Sequence, residues 1–341
     1  MTPRTGPRNL ITDVPGLKIG NAEDGLSRTG TTVIVTETPA ICAVDVRGGG
    51  PGTRETDALA ADTLVERVDA IVLSGGSVYG LAAADGVTAW LGAQGRGFGL
   101  GRVAGTPKAP IVPAAILFDL ANGGDKAWGI APPYRDLGLR ATQTAGYEFD
   151  IGSVGAGAGA MAGALKGGLG SCSTVLEDGA RVGALVAVNS FGSVVAPGGR
   201  AFWAGAFEID GEFGGVGPPE TRVSDRVWGL AKRNPGVGEN TTLACVAVDA
   251  DLTPAEARRL AVMAQDGLAR AIRPVHTPFD GDLVFALATC CRPLPNPRPF
   301  ALTRLGAAAA DCLARAIARG VYAATAWPGG GVTTWRTLQR P

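Results

Sequence analysis

The chain of 341 residues has one histidine, His276, and six cysteines with no Cys-x-x-Cys spacing among them. One imidazole cannot assemble a histidine-rich metal site, and any Ser-His-Asp triad would have to run through that residue. Four of the cysteines at 42, 172, 245, 290, 291 and 312 lie inside apolar runs, where they read as small buried hydrophobes and not as a disulfide framework or a zinc site. A net excess of either charge is missing as well. Lys plus Arg and Asp plus Glu balance at 31 each, which leaves no basic field for nucleic acid and no polybasic stretch for an anionic membrane. Nowhere does an apolar run reach the roughly 20 residues of a spanning helix, and the first residues lack a charged segment followed by an apolar one. The expectation is a cytoplasmic globular protein whose partners are small molecules. G-x-S-x-G, P-loop and H-E-x-x-H motifs are absent too. What remains as a strong nucleophile is a cysteine, a lysine, or a hydroxyl activated by an amine.

Glycine, by contrast, is abundant at 52 residues, and with alanine it crowds into "GSVGAGAGAMAGALKGGLGS", residues 152 to 171. Gly157, Gly159 and Ala162 fit a loose dinucleotide fingerprint, but no strong strand precedes them and no acidic residue follows at the required distance. A membrane helix would have to bury Lys166. The preferred reading is a tightly packed segment in which backbone approaches backbone or substrate.

Elsewhere the pattern alternates between strands and helices. "TTVIV", "ICAVDV" and "AIVLSGG" read as strands, "DALAADTLVERV" and "VYGLAAADGVTAWLG" as helices, and Asp178-Gly179 as a hairpin turn between two β-runs. Beyond residue 240 come strand "TTLACVAV", a helix from Thr253 to about Ile272, strand "DLVFALAT", and a helix through "RLGAAAADCLARAIARG". Thr253 with Pro254 and Glu256 forms a capping box, and Leu260, Ala264, Leu268 and Ile272 form the inward stripe. Strands with little alternation imply sheets covered on both faces, hence a layered α/β or α+β fold. Residues 217–240, polar and rich in Gly and Pro, read as a long exposed connector.

That connector ends at "GENTTLACVAVDADL", where two threonines open an apolar strand. A chain-terminal threonine carries its own base, since an α-amine with a reference pKa of about 7.7–8.0 takes the hydroxyl proton near neutral pH. An internal threonine gains that amine only if the bond before it is cut. Asn240–Thr241, where a flexible connector meets a buried strand, is a plausible place for such a cut.

The blocks "VDVRGGGPGTRETD", "IVLSGGSVYGLAAADGV", "ALVAVNSFG", "NTTLACVAVDADLTPAEARRLA" and "IRPVHTPFDGDLVFALAT" occur in that order along nearly the whole chain. Together they resemble the self-cleaving hydrolases related to L-aminopeptidase D-amidase/D-esterase, the β-peptidyl aminopeptidases and the nylon-oligomer hydrolase. The resemblance implies a single hydrolase domain over 1–341, built as a four-layer αββα sandwich. It implies a precursor cleaved into 1–240 and 241–341, which stay together and assemble further, as tetramers of cleaved heterodimers among relatives. It also implies no cofactor. On it, Thr241 is the nucleophile, Asn189 the oxyanion-stabilising amide, and Lys166 a lysine that hydrogen-bonds around the nucleophile. Asp280 and Asp282 are an acidic pair that would hold the Thr241 ammonium. Read as bare sequence, Asp-Gly-Asp is also a turn, Asn189 a strand-ending residue, and Lys166 a solvated loop lysine. Some relatives carry a tyrosine where this chain has Phe118, and His276 is expected to be structural. The implied activity is hydrolysis of short peptides, amino-acid amides or esters, or linear 6-aminohexanoate oligomers. Acyl transfer of the ornithine acetyltransferase type and a non-catalytic scaffold are the alternatives.

Overall fold

A computed structural model describes residues 4–99, 103, 105–220, 228–232 and 240–338. In chain order the elements are strands Leu17–Asp24 (β1), Thr29–Val46 (β2), Thr53–Arg54 (β3) and Arg67–Ser74 (β4), helix Ala83–Ala93 (α1), strand Ala114–Ile116 (β5) and helix Tyr134–Gln143 (α2). A short ribbon, Met161–Ala162 (β6) with Leu165–Lys166 (β7), precedes the hairpin Gly168–Val175 (β8) and Arg181–Asn189 (β9). Strand Thr241–Ala250 (β10), helix Pro254–Ala271 (α3), strand Leu283–Arg292 (β11) and helix Arg298–Ala323 (α4) complete the chain.

The pivot is β2. Its first half pairs with β1 and β4, its second half pairs with β11, and the register slips between Val35 and Ala40, around Pro39. One hydrogen-bonded path, β3-β5-β4-β2-β11-β10-β9-β8, therefore runs through two stacked layers. Ile19, Ile34 and Ile71 from one half meet Leu185, Leu243 and Phe285 from the other in the core between them. On one outer face α3 and α4 bring Leu260, Leu268, Leu313 and Ile317 onto Val186, Val246 and Val284. On the opposite face α1 and α2 bring Val87 and Leu137 onto Val33 and Val72. The layers are helix, sheet, sheet, helix, as the sequence resemblance implies, and burial of these apolar faces is the main force holding them together.

Several sequence expectations hold in detail. Thr253 caps α3, its hydroxyl accepting from Glu256 N at 3.2 Å while the Glu256 carboxylate accepts from Thr253 N at 2.9 Å. The expected stripe Leu260, Ala264, Leu268 and Ile272 is buried, and Asp178-Gly179 turns the hairpin with Gly179 at φ +81°. Cys42, Cys172, Cys245 and Cys312 are buried free thiols. Other expectations need correction. The helix expected over "DALAADTLVERV" is only a 3-10 turn, Asp57–Leu59; Leu64 stays exposed, and Arg67 and Val68 pair with Ile41 and Ala40 as the start of β4. "TTVIV" and "ICAVDV" belong to one strand, and Ser77–Ala82 forms a 3-10 turn before α1. Helix α2 is not expected from the sequence, because Gly138 interrupts a polar stretch. An added Cβ there would stand 2.0 Å from Ala83 O, so close packing on α1, not helix propensity, selects that glycine. Of the connector expected to be exposed, residues 221–227 and 233–239 lie outside the described residues, and Asn240 is buried.

Candidate active site

Three strand ends converge at the start of β10. That strand is antiparallel to β9, with Thr241 opposite Asn189, and parallel to β11, with Leu243 opposite Leu283 and a further bridge between Asn240 and Asp280. Strand alternation then sorts the two threonines. Leu243 and Cys245 face the core between the sheets while Ala244 and Val246 face α3 and α4, so Thr241 points to the inner side and Thr242 to the helix layer. Both are buried, and Thr242 Oγ1 finds no hydrogen-bond partner among the described residues.

The Thr241 hydroxyl donates to the carbonyl oxygen of Asn240, the residue before it. The same carbonyl accepts the Gly281 N–H at 2.8 Å. The Asn240 side-chain oxygen accepts from Lys232 Nζ at 2.6 Å. Across the strand, Asn189 is fixed at both ends of its amide, its oxygen accepting from Met161 N at 2.9 Å and its nitrogen donating to Phe118 O at 3.0 Å. A cavity of about 180 Å³ opens here, lined by Phe118, Asp119, Met161, Asn189, Lys232 and Asn240 among others.

The two carboxylates frame the junction from the other side. Asp280 accepts from Phe191 N at 3.0 Å, from Thr277 Oγ1 at 2.5 Å and from Thr277 N at 3.2 Å. Burial pushes its pKa up, the neighbouring Asp282 carboxylate adds to the rise, and the Thr277 hydroxyl opposes it. Asp282 accepts from Thr242 N at 2.7 Å and from both the backbone N (3.1 Å) and ring Nδ1 (2.9 Å) of His276. It therefore ties β10 to the single imidazole of the chain. The run Arg47–Gly50 lies along this loop, with Arg47 N and Gly48 N donating to Asp282 O and Gly50 N to Asp280 O. A Cβ on Gly48 would stand 2.2 Å from Asp282 N, so only glycine fits.

Lys166 is fully buried, not solvated, and its ammonium spends its three protons on the carbonyls of Gly157 (2.9 Å), Ala160 (3.1 Å) and Gly167 (2.8 Å). It thereby pins the Gly/Ala-rich segment, where an added Cβ on Gly157 would stand 2.0 Å from Leu169 N. Burial pulls its pKa down to about 7, against the attraction of Asp119. Asp119 is itself pushed up to about 6 by burial, although Thr29 Oγ1 and Gly76 N both donate to it, at 2.6 and 2.8 Å.

Of the residues expected from sequence, Thr241, Asn240, Asn189, Asp280 and Asp282 meet at one point. Lys166 stands behind them, reaching Asn189 through the β6–β7 ribbon and Met161, with no hydrogen bond to Thr241 among the described residues. Sequence reasoning passed over Gly281, Thr277, Asp119 and the ring contact of His276. For His276 a signal existed, its place six residues before an acid in a chain with no other imidazole.

The model of peptidase family S58 matches residues 9–334. An uncharacterized aminopeptidase of Mycobacterium tuberculosis is 44% identical, with 97% of this chain and 98% of the relative covered. A 6-aminohexanoate-oligomer endohydrolase of Agromyces sp. is 30% identical over 84% of this chain and 76% of its own. Among solved structures, a Burkholderia sp. beta-aminopeptidase superimposes with a TM-score of 0.67 at 24% identity, covering 95% of this chain and 89% of the other. The L-aminopeptidase D-Ala-esterase/amidase of Ochrobactrum anthropi, described as a variant of the Ntn hydrolase fold, gives 0.68 at 20% identity, with 95% and 88% covered. A layered αββα core, a threonine set against the carbonyl before it, and a match running through almost every described element lead to one conclusion: the chain belongs to peptidase family S58.

Proposed function

We propose that the protein is an amide hydrolase that makes its own nucleophile, cutting Asn240–Thr241 and then using Thr241 on short peptides, amino-acid amides or linear 6-aminohexanoate oligomers. The observation that carries this reading is the Thr241 hydroxyl resting against the carbonyl of the residue before it, in a buried strand whose neighbours supply two carboxylates and an amide. In the first reaction Thr241 Oγ adds to the Asn240 carbonyl carbon. The C–N bond then breaks, its nitrogen takes the proton, and an ester joins residue 240 to the threonine oxygen. Water hydrolyses that ester, leaving a carboxylate on Asn240 and a free amine on Thr241.

Turnover repeats the chemistry on an incoming amide. The Thr241 amine accepts the hydroxyl proton, Oγ attacks the substrate carbonyl carbon, and the proton passes to the leaving amine. Water then releases the acyl group. The developing oxyanion is assigned to the side-chain amide of Asn189, a role supported by its position across the strand from Thr241 and in the cavity lining. The naming of relatives as aminopeptidases and as a 6-aminohexanoate-oligomer endohydrolase supports these substrate classes.

The test pairs Thr241→Ala with Thr241→Ser and assays amino-acid amides and linear 6-aminohexanoate oligomers. Thr241→Ala is expected to stay one chain and to hydrolyse nothing, and Thr241→Ser to mature and keep partial activity, because only the hydroxyl is chemically required. Full activity in Thr241→Ala would overturn the assignment.

A further inference from the structure

Self-cleavage and turnover each need a donor for a carbonyl oxygen that turns negative. The amide of Asn189 is directed to Phe118 O and Met161 N, and no hydrogen bond joins it to the Asn240 carbonyl among the described residues. That carbonyl is met instead by the backbone N–H of Gly281, at 2.8 Å.

We propose that Gly281 N–H is the oxyanion donor of the self-cleavage step, distinct from Asn189, which serves the later reaction on substrate. The inference rests on Thr241 being the self-cleaving nucleophile. As Thr241 Oγ bonds to the Asn240 carbonyl carbon, the C=O electron pair moves onto oxygen, where the Gly281 N–H already points. The pair returns when the C–N bond breaks, and the Thr241 nitrogen leaves as an amine after protonation. A donor in place before charge develops needs no reorganisation, the condition under which such hydrogen bonds accelerate a reaction most.

The surroundings fit a donor held under constraint. The Asn240–Asp280 bridge sets the register that delivers this N–H, and both flanking carboxylates are anchored away from it, Asp280 on Phe191 N and Thr277, Asp282 on Thr242 N and His276. From the other side Gly50 N donates to Asp280 O. The position also excludes any side chain. A Cβ on Gly281 would lie 2.6 Å from Thr241 Oγ1 and 2.7 Å from Gly50 O, so the residue between the two acids is glycine for space at the reacting oxygen. Read this way, the motif is an N–H presented to the junction between two clamps.

The experiment replaces Gly281 in the full-length chain by glycolic acid through nonsense suppression, which puts an ester oxygen where the N–H was and adds no side chain. Conversion to two chains is followed by denaturing electrophoresis, with thermal unfolding as the check on fold. The expected result is maturation slowed roughly 100- to 1000-fold, the loss typical of removing one such donor. Maturation at the wild-type rate would overturn the inference while leaving Thr241 as nucleophile untouched. A wild-type chain that never cleaves would remove the parent reading instead, and the two failures are thus distinguishable. Should the glycolate variant lose its fold, Asn189→Ala decides: maturation within about threefold of wild type supports a separate donor, and a folded Asn189→Ala chain that stays whole overturns it.

Discussion

The two threonines at the junction can be told apart by stability as well as by chemistry. Thr242 is fully buried on the side of β10 that faces the helices, and its hydroxyl has no partner among the described residues. A buried polar group without a hydrogen bond costs about 1–3 kcal/mol. Thr242→Val exchanges that hydroxyl for a methyl of the same shape, adding roughly 0.8 kcal/mol of apolar burial. The sum, about 2–4 kcal/mol in favour of the variant, corresponds to a rise of roughly 3–5 °C in Tm for a chain of this length. The measurement belongs in a Thr241→Ala background, where the chain is expected to stay whole, so that melting is independent of subunit concentration. With Thr241 intact, Thr242→Val should still mature. A Tm lowered by several degrees, or a variant that stops maturing, would show that Thr242 holds a partner or a role its placement does not give it.

Asp282→Asn keeps shape but loses the charge that takes Thr242 N and His276; charged hydrogen bonds contribute about 1.5–3 kcal/mol, so maturation should slow at least tenfold with the fold retained, as read by electrophoresis and circular dichroism. Asp280→Asn should lower kcat for N-blocked and free-amine substrates alike, and a rise in KM confined to free-amine substrates would assign it to binding instead. For Lys166 the ordinary value of 10.5 falls to about 7 on folding, so between those limits the unfolded chain holds the extra proton and stability rises with pH. Denaturant titrations of the uncleaved chain at pH 7 and pH 9 should differ by a few kcal/mol, at about 1.4 kcal/mol per pH unit, and Lys166→Met should abolish the difference. Asp119 acts with the opposite sign: raised from 3.8 to about 6, it leaves the folded chain holding the extra proton, and its contribution is lost as pH rises through that window.

How far the sequence could be read follows from where each signal resides. The strands and helices after residue 240 carry theirs locally, in apolar runs long enough to set a period and in the capping box at Thr253. Helix α2 carries little, because Gly138 answers to the backbone of α1 and not to its own neighbours. The bend that makes β2 serve both layers is likewise a tertiary event, marked locally by Pro39 alone. At the site, Thr241 stood out because a hydroxyl pair opened an apolar strand after a polar connector, while Asn189, Lys166, Asp280 and Asp282 gained meaning only through family resemblance. Gly281 acts through a backbone N–H, set by the register of Asn240 against Asp280 on another strand, and Gly48 through missing atoms beside Asp282, more than 200 residues away. Asp119 reads as a lone acid until the fold buries it in the neighbourhood of Lys166.

Everything proposed for Thr241 depends on one bond, Asn240–Thr241. Intact-mass analysis of the purified full-length protein after prolonged incubation, with Edman sequencing of each species, tests it directly. The prediction is two chains, residues 1–240 and 241–341, the second beginning Thr-Thr-Leu. A single uncut chain, or a new N-terminus at any residue other than Thr241, would contradict it.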